Sequence, residues 1–355
     1  MDEVYKRLAG HLNTLPGGFP PTDAGLEIRI LERLFTPEEA AAAVHLTMNM
    51  ESPETIAARA QADLGSFAGL LETMSKKGLI LRSFKRGEPL YMAAQFMVGI
   101  WEYHVNTLDV GLIEDVNAYL PYLLQESWIK PKTKQLRVIP VSASIRAEMK
   151  IMPYEAAEAI IESQSKIVVA PCICRKEHAM MGKGCGRPLE TCLIFGGSAH
   201  YYEQNHLGRS ISKKEALSIL KQGMDAGLVL QPGNAKKPTN ICMCCGCCCQ
   251  ILNNLKKLDK PALAVCSGYR ATVNGEICTT CGTCVIRCPM DAVIIEDVAR
   301  IDEDRCIGCG VCVATCESGA LKLIAKAEDE RWVPPENIAE TYFRIASERR
   351  GKTIK

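Results

Sequence analysis

The chain has 355 residues, of which 47% are hydrophobic, so it is long enough to bury a core and to form more than one domain. Its 42 lysines and arginines nearly balance 41 aspartates and glutamates, and the net charge of +1 excludes a general basic field that would attract nucleic acid or an anionic membrane. The N-terminal stretch lacks the pattern of a signal peptide, and no segment reaches membrane-spanning length. We therefore expect a cytoplasmic protein without a transmembrane segment.

Residues 1 to 130 contain no cysteine, and their pattern predicts a helical domain with a winged-helix-like segment. Thr36 and Pro37 predict a helix start. Residues 52 to 93 predict a short helix, a longer helix that stops at Gly78, and two strands around "KRGEP". A winged helix is typical of DNA-binding proteins, but the longer helix carries Asp63 and Glu72 on its body. We therefore expect this domain to dock a protein partner rather than DNA.

The pattern of the remaining residues, 131 to 355, predicts three further regions. Residues 131 to 271 form a cysteine-rich α/β middle domain, with a helix after Pro153, a buried strand "KIVVA", and a capped helix that ends in a turn at Gly227. Residues 272 to 325 form a cysteine-rich repeat, and residues 326 to 355 form a charged, partly helical tail. The predicted fold class is therefore α+β with several domains.

The 19 cysteines all follow residue 170, and this number is far above ordinary usage. Disulfides, zinc and iron-sulfur clusters are the three explanations. Disulfides suit small secreted domains, whereas this chain is large and shows no export signal. A metal-binding role for the thiols is therefore the better interpretation.

An internal repeat begins at Cys278, where "CTTCGTCVIRCPMDAVII" recurs 28 residues later as "CIGCGVCVATCESGALKL". Each copy has the spacing C-x2-C-x2-C-x3-C, in which three sulfurs of a loop and the fourth cysteine of the other copy hold one [4Fe-4S] cluster. We expect that fourth cysteine to begin a helix. Zinc needs only four ligands in two pairs, so the additional cysteines favour clusters. The expected ligands are Cys278, Cys281, Cys284 and Cys316 for cluster 1, and Cys306, Cys309, Cys312 and Cys288 for cluster 2.

This repeat resembles a bacterial two-[4Fe-4S] ferredoxin domain, which implies short hairpins and helices related by a pseudo-two-fold axis. The whole layout resembles 4Fe-4S binding proteins of anaerobic bacteria, through "PCICR", "CGRPLETC", "ICMCCGCCC" and the repeat. That resemblance implies redox work without naming a substrate.

The middle region holds eleven more cysteines, and we expect eight of them to bind one or two additional clusters, with the pairing left open. They are Cys172, Cys174, Cys185, Cys192, Cys242, Cys244, Cys245 and Cys248. On an extended backbone, Cys242, Cys244 and Cys248 would share one face, and Cys245, Cys247 and Cys249 the other, although a turn at Gly246 would change this division. The loop would then lie between two clusters, bind one cluster with spare thiols, or hold a larger centre that is not a cubane.

Several nearby residues have a simpler interpretation. Cys247 and Cys249 receive no role, and Cys266 is expected to be a small core residue. His178, His200 and His206 flank the cysteines, and we expect them to lie on the surface or behind the ligands rather than to bind metal.

The sequence predicts an electron-transfer protein that relays single electrons through several [4Fe-4S] clusters. Its partner would be a flavoprotein, a dehydrogenase or a hydrogenase subunit, because no flavin or nicotinamide fingerprint is present. Two alternatives stay open: a reductase with a catalytic, unusual centre in the middle domain, and a redox-sensing regulator that binds DNA.

Overall fold

A computed structural model describes residues 2–351, and it divides into two units. The first unit comprises three segments: the described residues up to Pro131, Gly197–Arg209, and the described residues from Tyr342 onward. The second unit comprises Lys132–Gly196 and Ser210–Thr341. Helices and strands are mixed, which confirms the α+β class. Within the described residues, no helix has both the length and the apolar character needed to cross a bilayer.

Helices and strands are interspersed along the chain. The helices are α1 (Asp2–Thr14), α2 (Leu26–Leu34), α3 (Pro37–Ala43), α4 (Pro53–Ala60), α5 (Leu64–Lys76), α6 (Trp101–Tyr103), α7 (Val110–Leu124), α8 (Ala157–Glu162), α9 (Ile173–Met180), α10 (Gly196–Gln204), α11 (Lys213–Asp225), α12 (Gln250–Leu255), α13 (Thr283–Arg287) and α14 (Ile338–Arg349). The strands are β1 (Ile80–Lys85), β2 (Glu88–Ala93), β3 (Ile167–Pro171), β4 (Glu190–Phe195), β5 (Arg209–Ser210), β6 (Val229–Pro232), β7 (Asn240–Cys244), β8 (Tyr269–Val273), β9 (Val293–Ile295), β10 (Ala299–Ile301) and β11 (Leu321–Ala325).

The first unit contains the helix start predicted at Thr36. The Thr36 hydroxyl accepts a hydrogen bond from the Glu39 backbone N–H, and the Glu39 carboxylate accepts one from the Thr36 N–H, which forms a capping box. After α4 and α5, strands β1 and β2 pair antiparallel around a turn that places Lys85 opposite Glu88. The order of these elements matches the sequence expectation, and the winged-helix assignment stays a prediction.

Two basic side chains beside this hairpin are paired with carboxylates. Lys77 Nζ lies 2.6 Å from Glu39 Oε2, and the buried guanidinium of Arg82 binds Glu72. The Tyr91 hydroxyl also donates to Glu72, at 3.0 Å. The charges of Lys77 and Arg82 therefore stabilise the fold of this segment.

A five-stranded sheet organises the second unit, with the strand order β5-β3-β4-β7-β6. The expected "KIVVA" strand is β3, and its residues 167–170 are buried. Helix α11 begins after Ser212, whose hydroxyl accepts the Glu215 N–H, and the chain turns at Gly227 into β6, as predicted. The register between β4 and β7 places Cys192 directly opposite Cys242.

The cysteine repeat lies in this same second unit. Strand β8 pairs with β11, and β9 pairs with β10, both antiparallel. Cys288 follows the end of α13, and Cys316 follows a short 3-10 turn, so the prediction that these cysteines begin helices is wrong. Both adopt extended backbone angles, and each sulfur accepts an N–H from a residue further along the chain, Ala292 for Cys288 and Leu321, at the start of β11, for Cys316.

Candidate metal centres

Four cysteines surround the first of two C-terminal cavities. They are Cys278, Cys281, Cys284 and Cys316, the residues predicted for cluster 1. The rest of the wall consists of threonines, glycine, serine and apolar residues. Cys281 is exposed, whereas Cys284 is buried. The cavity thus brings together four thiols, the donor set of a cubane, near the protein surface.

The second cavity is surrounded by Cys306, Cys309, Cys312 and Cys288, the residues predicted for cluster 2. The first three are buried, and burial raises the pKa of the Cys309 and Cys312 thiols. The backbone N–H of Ala271 donates to the Cys306 sulfur at 3.4 Å, and hydrogen bonds to the sulfurs are among the features that tune iron-sulfur clusters. The two quartets therefore fit the same kind of cluster but differ in their exposure to solvent.

The loop that carries the second quartet is closely packed against neighbouring backbone. A Cβ at Gly308 would clash with the Tyr269 carbonyl oxygen, and Gly308 has a φ of +70°. The Val141 N–H donates to the Cys309 carbonyl at 3.0 Å. Only glycine fits at residue 308, because a side chain would meet this backbone and would need an unfavourable positive φ.

Six middle cysteines form a closed ring of interacting thiols, which we call the thiol ring. The pKa of each thiol is shifted mainly by hydrogen bonding with two others, in the order Cys172, Cys174, Cys249, Cys244, Cys242, Cys192 and back to Cys172. Cys172, Cys244 and Cys249 are buried. The ring offers two more thiols than one cubane uses.

The sheet and two helix starts build this ring. Cys192 and Cys242 are a cross-strand pair, and Cys244 lies two residues further along β7, on the same face of the sheet. Cys172 immediately precedes α9, and Cys249 immediately precedes α12. Thiolates are favoured at helix starts, so the ring combines a sheet face with two positions suited to negative charge.

The thiols of the ring differ in the direction in which their pKa is shifted. Hydrogen bonds from the thiols of Cys174 and Cys192 hold the pKa of Cys172 well below its ordinary value, and Arg175 adds to this effect. Hydrogen bonds from Cys174 and Cys244 likewise lower the pKa of Cys249. Arg175 is itself buried, and although burial opposes its charge, the thiolate of Cys172 raises its pKa. The ring therefore contains two thiols with a lowered pKa, those of Cys172 and Cys249, and the buried cation of Arg175 lies beside the first.

A second group of four cysteines lies at the turn after β7, and we call it the turn quartet. Its members are Cys185, Cys245, Cys247 and Cys248, whose sulfur atoms all lie within 4.8 Å of one another. Three come from the turn around Gly246, and Cys185 comes from the loop between α9 and β4. Among residues 2–351, no second group of three or more ligand atoms from His, Cys, Asp or Glu is this compact.

Two arginines donate to the turn quartet. Arg187 Nη1 lies 3.1 Å from the Cys247 sulfur, and Arg175 Nη1 lies 3.8 Å from the Cys245 sulfur. Burial opposes ionisation of Cys185, but hydrogen bonds from the Arg187 N–H and from neighbouring thiols lower its pKa to about 7. Arg175 also lowers the pKa of Cys172 in the thiol ring, so its side chain interacts with both the turn quartet and the ring.

The structure divides the loop cysteines differently from the alternation expected of an extended strand. Cys248 lies with Cys245 and Cys247, and Cys249 lies with Cys242 and Cys244. The chain leaves β7 after Cys244 and turns through Gly246, which ends the alternation. Of the eight cysteines expected to bind clusters, five lie in the ring and three in the turn quartet.

Sequence reasoning left out Cys247 and Cys249, which complete the turn quartet and the ring, respectively. The helical residues that follow Cys249 were a signal for its position, since the residue before a helix leaves the strand pattern. Cys266 lies outside both groups, buried, and its sulfur accepts a hydrogen bond from Asn234 at 3.7 Å.

The flanking histidines have separate environments. His178 Nδ1 lies 2.9 Å from the Cys174 carbonyl oxygen and 3.6 Å from Glu177, and the hydrogen bond to Glu177 raises its pKa. His200 and His206 belong to the first unit and are exposed. The second unit thus places only His178 beside a ring cysteine, and it does so through a backbone carbonyl.

The turn that carries the middle cysteines packs directly on the second C-terminal cavity. A Cβ at Gly246 would lie 2.5 Å from the carbonyl oxygen of Pro289, which lines that cavity next to Cys288. Arg305 reinforces this junction, because its guanidinium donates to the carbonyls of Met290, Lys256 and Leu258 at 2.8–3.1 Å. The middle thiols and the second quartet are therefore neighbours within one unit.

Residues 263–321 match the family model of the 4Fe-4S dicluster domain. No curated protein and no solved structure matches the chain. The matched segment contains both C-terminal quartets, and further cysteines cluster outside it. The chain is thus an iron-sulfur binding protein.

Proposed function

We propose that this protein transfers single electrons through several iron-sulfur clusters, as a subunit or partner of an oxidoreductase complex. The observation that carries the proposal is the contact of Gly246 with Pro289, since it joins the cysteine-rich turn to the wall of the second C-terminal cavity. The first quartet, with its exposed Cys281, the more deeply buried second quartet and the thiol ring would then be a series of candidate centres within the second unit.

The residues present fit these clusters. Cys278, Cys281, Cys284 and Cys316 would hold cluster 1, and Cys288, Cys306, Cys309 and Cys312 would hold cluster 2. The six members of the thiol ring would hold a third iron-sulfur centre. When bound, such clusters supply one-electron oxidation and reduction over a range of potentials. The chain contributes thiols, backbone N–H donors, burial and the cation of Arg175.

An exposed apolar surface adjoins the first quartet, and we call it the port patch. Its side chains belong to Ile277, Val285, Ile286, Ile294 and Ile295, of which Ile286 is 84% exposed. Ile277 precedes Cys278 directly, and Val285 and Ile286 follow Cys284. Because cluster 1 has the exposed cysteine and this apolar border, we assign electron exchange with a redox protein partner to this end of the series.

Replacing Ile286 by aspartate is expected to slow electron exchange with the partner, because a charge then interrupts the apolar surface beside cluster 1. Stopped-flow reduction by the partner protein measures the rate, and spectra of the reduced clusters should not change. The matched control is Leu263→Asp, since Leu263 is 77% exposed and lies outside the port patch. Equal rates of reduction by the partner for Ile286→Asp and the wild type would contradict the assignment of electron exchange to the port patch.

Iron and sulfide analysis of the anaerobically reconstituted protein tests the series of centres. Two cubanes account for about eight irons, so a third iron-sulfur centre brings the content to about twelve or more. EPR during a potentiometric titration should then show more than two one-electron centres. A content of about eight irons would contradict the third centre, and the absence of any one-electron signal would contradict the proposed function.

The DNA-binding alternative has less support from the first unit. Lys77 is paired with Glu39, and Arg82 is buried against Glu72, so neither charge is positioned for phosphate. The exposed bases of the hairpin are Lys85 and Arg86, at its tip. Two charges at a strand edge are typical of a solvated hairpin. Retention of the protein on DNA that falls with salt would favour the regulator instead.

A further inference from the structure

The turn quartet differs in geometry from the two C-terminal quartets. Its four sulfurs lie within 4.8 Å of one another, whereas neither C-terminal quartet forms such a group among the described residues. Each C-terminal quartet instead surrounds a cavity. In a cubane each thiolate binds a different iron, so the four sulfurs are widely spaced. The C-terminal quartets show this wider spacing within the same chain.

We infer that the turn quartet binds a single tetrahedral metal ion, zinc or ferrous iron, and not a cubane. A tetrahedral thiolate site has metal-sulfur distances of about 2.3 Å, which places its sulfurs about 3.8 Å apart. The Cys247 and Cys248 sulfurs are 3.8 Å apart, and the other pairs lie within the 4.8 Å limit. The inference does not depend on the proposed electron transfer, because one ion in this site would not need to change its oxidation state.

Two segments of the chain build this site. One short turn supplies Cys245, Cys247 and Cys248, and a second loop supplies Cys185. Adjacent cysteines can share one ion here because Gly246 and the turn after it fold the backbone back, and the Cys249 N–H bonds to the Cys245 carbonyl at 3.1 Å. The site therefore ties the loop after α9 to the turn after β7.

The surroundings also balance the charge of such a site. Four thiolates with one divalent ion carry two negative charges, and two guanidinium groups donate to the sulfurs, Arg187 to Cys247 and Arg175 to Cys245. Arg187 also donates to the Ala226 carbonyl at 3.3 Å, which orients its side chain. Hydrogen bonds of this kind hold metal ligands in place. A bound ion would therefore hold the turn that contacts Pro289.

Replacing Cys247 by serine tests the inference, because Cys247 is the exposed member of the site. Metal analysis of the anaerobically purified full chain should show the loss of one equivalent of zinc or iron, with acid-labile sulfide unchanged. Loss of about four irons together with four sulfides would overturn the inference, since that is the content of a cubane. Unchanged metal content would overturn it as well.

Two further variants and two kinds of spectra keep the test decisive if the Cys247→Ser protein misfolds. Cys185→Ser removes the ligand from the other loop and should cause the same loss of one ion, while Cys266→Ser, outside every thiol group, should cause none. On the wild type, X-ray absorption at the zinc edge should show four sulfurs at about 2.3 Å. If the ion is iron, Mössbauer spectra should show one isolated ferrous site besides the clusters. The absence of both signatures would overturn the inference even if the variants unfold.

Discussion

Replacing Cys242, Cys244 and Cys249 together by alanine is expected to remove the whole third iron-sulfur centre, with a loss of about four or more irons and as many sulfides. The reason is the number of ligands that remain. The variant keeps only Cys172 before α9, Cys174 within α9 and Cys192 on β4, and three thiols are one fewer than the four-cysteine set of a cubane. Iron and sulfide analysis of the anaerobic protein measures the loss.

The control for this variant is Cys266→Ala, which removes a buried thiol outside the ring and should leave the iron content unchanged. EPR signals of the two C-terminal clusters should persist in both proteins, which shows that the fold is retained. Single alanine variants of the six ring cysteines then count the ligands, because only true ligands reduce the iron content. An unchanged iron content in the triple variant would contradict a centre in the thiol ring.

Replacing Gly246 by alanine is expected to have the second large effect. The new Cβ would lie 2.5 Å from the Pro289 carbonyl oxygen and 2.9 Å from its Cα, and both are backbone atoms that cannot rotate away. Such overpacking costs about 1–3 kcal/mol of stability. It should also move the middle thiols away from the second cavity and slow electron transfer between them. Chemical unfolding and freeze-quench EPR measure the two effects.

Gly275→Ala is the matched control, because a Cβ there would meet only Val298, at an ordinary 3.4 Å. Its free energy of unfolding and its transfer rate should stay close to those of the wild type. Slower transfer in Gly246→Ala with intact iron content would support the contact as the route between centres. Wild-type transfer in a demonstrably destabilised Gly246→Ala protein would contradict that route.

The C-terminal quartets could be grouped from the sequence because their chemistry is local. In each repeat three cysteines lie within seven residues, so a single loop brings them together and the spacing alone indicates the grouping. What the spacing did not indicate was the exposure of each quartet. The loop that carries Cys309 lies against Val141 and Tyr269, which are far from it in sequence.

The middle cysteines could not be grouped in the same way. Alternation along a strand correctly placed Cys242 and Cys244 together, since both lie on β7. It failed at Cys248 and Cys249, because the chain turns at Gly246 and then enters α12. The partners of these residues come from α9, β4 and the loop between them, and only the folded sheet brings those segments to the turn.

By itself, the sequence indicated that the thiols serve metal chemistry, where the dicluster segment lies, and where a few elements of the second unit lie, among them the "KIVVA" strand and the capped helix that ends at Gly227. These properties depend on residue types and on short spacings between residues, and both can be read from the sequence without the fold. The tertiary structure alone decided that ten middle thiols divide into a ring of six and a compact quartet, and that Gly246 lies against Pro289. The physical reason is that ligand sets are selected by distances of a few ångströms between atoms that the chain separates by many residues.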